Sequence, residues 1–284
     1  MGNKLGAAAL SIGVNVALLA SKVIVAAMTN SIGMYAEAAH SLFDLMASVL
    51  AYLGIRKADE PSDRTHHFGH EKFENLSSLL QAMLIVGTAG VVLFEAYEKL
   101  QEPGKVENTE LGMALMVVSI PVTYMTARYL SDTAKKEGGS HALEADSAHF
   151  ATDVAGSVAV LAGLLSVRLG FIAGDALAAF AVGLVMIYIS AGLGIKAFMI
   201  FMDFSPDAET LARIEGVLKG DRRITRFHKL RARIAGSRIF VDVHIQFQHR
   251  TDIVEAHKVA HEIENGIIRA VPQVKEVSIH MEPD

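Results

Sequence analysis

The 284-residue chain has no cysteine, so neither a disulfide nor a thiolate-held metal can form in it. No run of Lys and Arg suggests nucleic acid, and the net charge of −5 is too small to exclude any class by itself. Low-complexity stretches are absent, and no internal repeat stands out. The zinc-hydrolase string HExxH is missing as well. The nearest run, "HKVAH" at 257–261, lacks the glutamate. An enzyme is therefore not expected.

Apolar residues, by contrast, are abundant. They make up 51% of the chain, and the mean hydropathy is +0.35. They concentrate in residues 5–203, while residues 204–284 read as ordinary soluble protein. A bilayer core needs about 20 mainly apolar residues per helix. Six stretches meet that length: Leu5–Met28, Ile32–Ile55, Phe73–Tyr97, Glu110–Leu130, Ala142–Leu169 and Asp175–Phe201. The expected architecture is an α-helical membrane protein with six transmembrane helices in residues 1–203. A cytoplasmic α+β domain follows in residues 204–284. Arg56, Lys57, Arg64 and Lys72 flank the second connection, and Lys135 and Lys136 the fourth. The positive-inside rule puts those loops, both termini and the tail in the cytoplasm.

The tail has the order α-β-β-α-β. "SPDAETLARIEGVL" offers Ser205 as a helix cap and Pro206 as the first helical residue. "RFHKLRARI" and "RIFVDVHIQF" alternate around Ala235-Gly236-Ser237, as a hairpin does. Ile253, Ala256, Ala260, Ile263 and Ile267 recur at steps of three and four, which makes an amphipathic helix. "QVKEVSIHME" closes as a third strand.

Charged side chains inside apolar spans demand a reason, because each costs on the order of 2.5–3.5 kcal/mol by insertion scales. His40 and Asp44 lie four apart and share one face of the second span. His149 and Asp153 repeat the pair in the fifth. Four such ligands can close a tetrahedron around one ion, and imidazole with carboxylate suits Zn²⁺. Small neighbours such as Ala38, Ala47, Ala148 and Gly156 permit close helix approach. Asp146, on the stripe of His149, is placed to orient an imidazole. Lys22 and Glu37 lie toward the outer ends of their helices, where Lys22 can snorkel.

Two further groups have metal-compatible spacing. Asp63, His66 and His70 fall in the second connection, with His67 beside them. In the tail, His228 is on the first strand, His244 on the second and His257 on the helix. His280 and Glu282 share one face of the last strand. His249 and His261 read as solvated bystanders.

"SIGMYAEAAHSLFDLMAS", "HHFGHEKFENLSSL" and "EADSAHFATDVAGS" resemble the cation diffusion facilitator family, most of all its bacterial YiiP-like zinc transporters. The resemblance covers nearly the whole chain. It implies a homodimer in the inner membrane that exports divalent metal, zinc first, in exchange for protons by alternating access. It assigns His40, Asp44, His149 and Asp153 to the transport site and Asp63, His66 and His70 to a loop site. His228, His244, His257, His280 and Glu282 match a two-metal site in the tail. Many bacterial members carry Asp where this chain has His40, and the family's usual Asp is Glu282 here. The His–Asp/His–Asp form resembles the zinc-selective branch common in eukaryotes. A membrane metal sensor and a zinc-dependent membrane hydrolase are the alternatives; vectorial flux in liposomes separates a carrier from both.

Overall fold

The computed structural model describes residues 2–29, 32–101, 110–169, 171 and 173–284. The chain divides into two compact units, Met1–Phe198 and Met199–Asp284.

The first unit is built from six long helices: α1 (Gly2–Thr29), α2 (Ile32–Ala58), α3 (Lys72–Gln101), α4 (Glu110–Lys136), α5 (His141–Arg168) and α6 (Gly174–Phe201). The 28 residues of α1 rise about 42 Å at 1.5 Å each, more than the roughly 30 Å of a hydrocarbon core. By length and composition, α1, α2, α3 and α6 can each cross a membrane. The other two are as long, at 27 and 28 residues, but α5 carries Glu144, Asp146, His149 and Asp153 in its first half. Polarity in this unit is inverted. Asp44, Asn15, Ser48, Gln81, Asp146 and His149 are buried, whereas Phe94, Met125, Leu184 and Tyr188 face outward. That distribution suits a bundle surrounded by lipid.

The start of α5 is fixed locally. Gly138 and Gly139 adopt φ of 82° and 85°, a region open to glycine at little cost. The amides of Gly139 and Ser140 both return to the Ala134 carbonyl, closing α4. From there α5 runs between two apolar clusters. Leu143 and Phe150 pack with Ile55 of α2 and Leu130 of α4, while Ala145 packs with Ile85 of α3 and Met186 of α6. The helix bearing His149 and Asp153 is thus central. Helices α2 and α3 approach closely at Gly54, where a Cβ would collide with the Ser77 side chain. The Ser77 hydroxyl donates to the Leu50 carbonyl at 2.7 Å.

In the second unit, α7 (Ala208–Gly220) precedes β1 (Arg226–Ala235), β2 (Arg238–Phe247), α8 (Ile253–Ala270) and β3 (Val274–Pro283). The cap of α7 is Asp207, whose carboxylate accepts from the Thr210 amide at 2.8 Å. It is not Ser205, and Pro206 stands outside the helix. A carboxylate at this position also meets the positive end of the helix dipole, so the later of two possible caps prevails. The sheet order is β1-β2-β3, with β1–β2 antiparallel and β2–β3 parallel through the α8 crossover. Gly236, with φ of 57°, turns the hairpin. Val241, Val243 and Ile245 of β2 and Val277 of β3 pack with Ile214, Val259 and Ile263 of α7 and α8. Alternation therefore puts His244 and His280 on the opposite face of the sheet.

Candidate metal sites

The two histidine–carboxylate pairs sit near the middle of α2 and α5, and the fold brings them together. His149 Nε2 lies 3.1 Å from Asp44 Oδ1, across the two helices. His40 Nε2 approaches the same oxygen at 3.6 Å. Ligand atoms of His40, Asp44 and Asp153 all fall within 4.8 Å of one another. Asp44 is the shared member, touched by an imidazole from each helix. Its side chain is 7% exposed and that of His149 1%, while that of His40 is 34% exposed. The cluster is closed around Asp44 and His149 and more open beside His40. The mutual group of one imidazole and two carboxylates does not include His149, which joins it through Asp44. Imidazole with carboxylate is a donor set for a borderline divalent ion.

Two expectations about neighbouring residues need correction. Asp146 does not orient an imidazole. Its Oδ1 accepts from Ser48 Oγ at 2.8 Å, and the partner of His149 is Asp44. Lys22 does not snorkel alone: its ammonium donates to Glu37 at 3.0 Å and ties α1 to α2. Sequence reasoning also passed over Ser11, Asn15 and Ser48, which are buried with Asp146. Ser11 and Asn15 are spaced four apart inside an apolar helix, the same signal that exposed the histidine pairs.

In the loop, His66 Nδ1 and His70 Nε2 each lie 3.5 Å from an oxygen of Asp63, and the two rings are 4.4 Å apart. The backbone amide of His66, with the hydroxyl and amide of Thr65, holds the Asp63 carboxyl well below the usual range. His70 Nδ1 lies 3.1 Å from the Pro61 carbonyl, the arrangement that leaves Nε2 as the ligand atom. His67 is exposed and lies beside the Arg64 carbonyl instead.

The tail builds its cluster from cross-strand neighbours. His228 pairs with His244, and His244 with His280, so three imidazoles form one row. A bulge between His228 and Arg231, with Lys229 at φ 50°, sets that register on β1. Glu282 joins the row, at 2.9 Å from His228 Nε2 and 2.7 Å from His244 Nδ1. Those hydrogen bonds, His244 first, hold its carboxyl down to about 2. His280 stands at 3.6 Å from Glu282. The mutual group within 4.8 Å is His228, His244 and Glu282. His257 stands apart from that group: it is exposed on α8, with its ring 4.5 Å from that of His261. The helix packs on the sheet face that the histidine row does not use.

Comparison with known proteins matches each part of the chain. A family model described as the cation efflux transmembrane domain covers residues 8–202, and one described as the cation efflux protein cytoplasmic domain covers residues 206–284. The cation-efflux pump FieF of Shewanella oneidensis is 31% identical over 274 residues, spanning 96% of this chain and 92% of that protein. FieF of Serratia proteamaculans is 30% identical over 267 residues, spanning 94% and 88%. Among solved structures, the metal-bound C-terminal domain of the CzcD transporter from Thermotoga maritima is 23% identical. It covers 26% of this chain and 87% of that one, with a TM-score of 0.26. This chain is a multi-pass membrane transporter for cations and belongs to the cation diffusion facilitator family.

Proposed function

We propose that the protein exports Zn²⁺ in exchange for protons, with His40, Asp44, His149 and Asp153 as the transport ligands. The observation that carries this reading is the meeting of an imidazole and a carboxylate from α2 with an imidazole and a carboxylate from α5. Two carboxylates balance the charge of one divalent ion. A buried group of charges is tolerated when it is paired, and costly otherwise. When the ion leaves, protons can restore the balance on the same atoms. Metal binding requires neutral imidazole and ionised carboxylate, so it releases protons, and an acidic outer side drives the reverse. Alternating access delivers the one site to each side in turn. Two imidazoles favour zinc over harder ions.

In this reading residues 1–203 carry transport. Both termini lie in the cytoplasm, and the protein resides in the inner membrane as a homodimer surrounded by lipid. Residues 204–284 bind metal on the histidine row and contribute to dimerisation, which the match to a cation-efflux cytoplasmic domain supports. The loop group of Asp63, His66 and His70 has donors suited to a second bound zinc.

Asp153→Ala is the test. In proteoliposomes it is expected to abolish zinc flux while the purified protein keeps its elution profile and helicity. Normal flux in that variant contradicts the assignment.

A further inference from the structure

Behind the transport ligands lies a second polar group that the exchange chemistry does not use. Asp146, on α5 one turn before His149, is fully buried. Ser48, on α2 one turn after Asp44, donates to its Oδ1 at 2.8 Å. From α1, Ser11 donates to Ser48 Oγ at 2.5 Å and Asn15 Nδ2 to the same oxygen at 2.8 Å. Asn15 Nδ2 also donates to the backbone carbonyl of Asp44 at 3.1 Å. Ser11 and Ser48 are fully buried, and Asn15 is 3% exposed. Asp146 Oδ2 is buried and has no hydrogen-bond partner among the described residues. Three helices are thus joined through one hydroxyl, and the network ends on the peptide of the residue that both imidazoles touch.

A buried acid inside a membrane bundle is expensive, and an apolar residue of its size would pack there at less cost. What the network provides is position. Asp44 Oδ1 is shared between His149 at 3.1 Å and His40 at 3.6 Å. A metal site tolerates errors of only about 0.2 Å in its ligand distances. The register of α2 against α5 at this height must therefore be held to a small fraction of a helical step.

Resting on the transport-site reading above, we propose that Asp146 is a positioning residue: through Ser48 and Asn15 it fixes Asp44 opposite His149, and so sets the affinity of the transport site for its ion. The residue touches no transported metal. Its role is to accept from Ser48, which Asn can also do and Leu cannot.

The test uses the full-length protein in proteoliposomes, with KM and maximal rate for Zn²⁺ measured separately. Asp146→Leu is expected to raise KM by about 10- to 100-fold, the usual loss when a group that orients a ligand is removed. The maximal rate is expected to fall much less. Asp146→Asn keeps the acceptor and is expected to restore most of the affinity. Ser48→Ala is expected to raise KM in the same direction, and to add little when combined with Asp146→Leu, because both break one network. If Asp146→Leu does not fold, Ser48→Ala and Asn15→Leu carry the same expectation. Unchanged KM in the folded variants overturns the proposal, as does an Asn variant as impaired as the Leu variant. Asp153→Ala in the same assay keeps the two readings apart. If it still transports zinc, the site assignment has failed. If it is inactive while Asp146→Leu has normal KM, the positioning role alone has failed.

Discussion

The membrane cluster and the tail cluster use the same side chains on opposite scaffolds. In the bundle, the ligands come in local pairs at i and i+4, and two helices supply everything. In the tail, His228, His244, His280 and Glu282 are dispersed over the sequence and meet as cross-strand neighbours. Their solvation differs as much. Side chains of Asp44 and His149 are 7% and 1% exposed, whereas those of His228, His244 and Glu282 are 29%, 20% and 26% exposed. A buried cluster holds unbalanced charge only at high cost, which is the basis of the proposed exchange of one cation for another. A half-wet cluster can remain metal-free, its histidines held by Glu282 and water. Burial makes the first suited to turnover, and exposure makes the second suited to steady binding.

Substitution of one carboxylate in each cluster sharpens this comparison most. Asp44→Ala is expected to eliminate zinc flux in proteoliposomes, because Asp44 contacts both imidazoles. Glu282→Ala is expected to weaken metal binding by the tail histidines yet leave measurable flux. Equal loss of flux in the two variants would erase the distinction. A smaller effect is expected of His40→Asp, at the more open edge of the membrane cluster. A third carboxylate in place of an imidazole makes the site harder and more negative, so the zinc-to-cadmium transport ratio should change. An unchanged ratio removes His40 from selectivity.

The tail should betray its exposed carboxylate through pH. The pKa of Glu282 is lowered from 4.5 to about 2, chiefly by its bond from His244 and then by that from His228. A carboxylate depressed on folding contributes stability above its unfolded pKa and loses it as pH falls through the folded one. In metal-free protein, the gap in thermal midpoint between wild type and Glu282→Gln is therefore expected to hold above about pH 5 and to close toward about pH 2. A gap independent of pH over that interval argues against these hydrogen bonds. Smallest of all, Asp207→Ala should cost about 1 kcal/mol as the loss of a helix cap, with Ser205→Ala near neutral. Thermal or denaturant unfolding of the two variants compares them directly.

Much of this was legible in the residues, for physical reasons. Helices α1, α2, α3 and α6 follow from apolar length alone. The pairs His40–Asp44 and His149–Asp153 follow from helical periodicity, since spacing on one helix decides which residues share a face. Which helices then meet was not legible, because any apolar helix can pack on any other. The central place of α5, and the network of Asp146, Ser48 and Asn15, depend on that pairing. In the tail, strand alternation placed His280 and Glu282 on one face. The bulge that aligns His228 with His244 depends on a positive φ at Lys229, which no residue type announces. The separation of His257 from the row arises because α8 covers the other face of the sheet.

Zinc-driven proton counterflow tests the central claim most directly. Zinc is added outside proteoliposomes holding a trapped pH indicator, and metal and proton movement are followed together across about pH 6 to 8, which brackets the ordinary histidine pKa. The exchange of one divalent ion for protons on His40, Asp44, His149 and Asp153 predicts proton efflux in step with zinc entry, with both signals lost in Asp44→Ala. Zinc entry with a silent indicator, or coupled flux that survives Asp44→Ala, would contradict it.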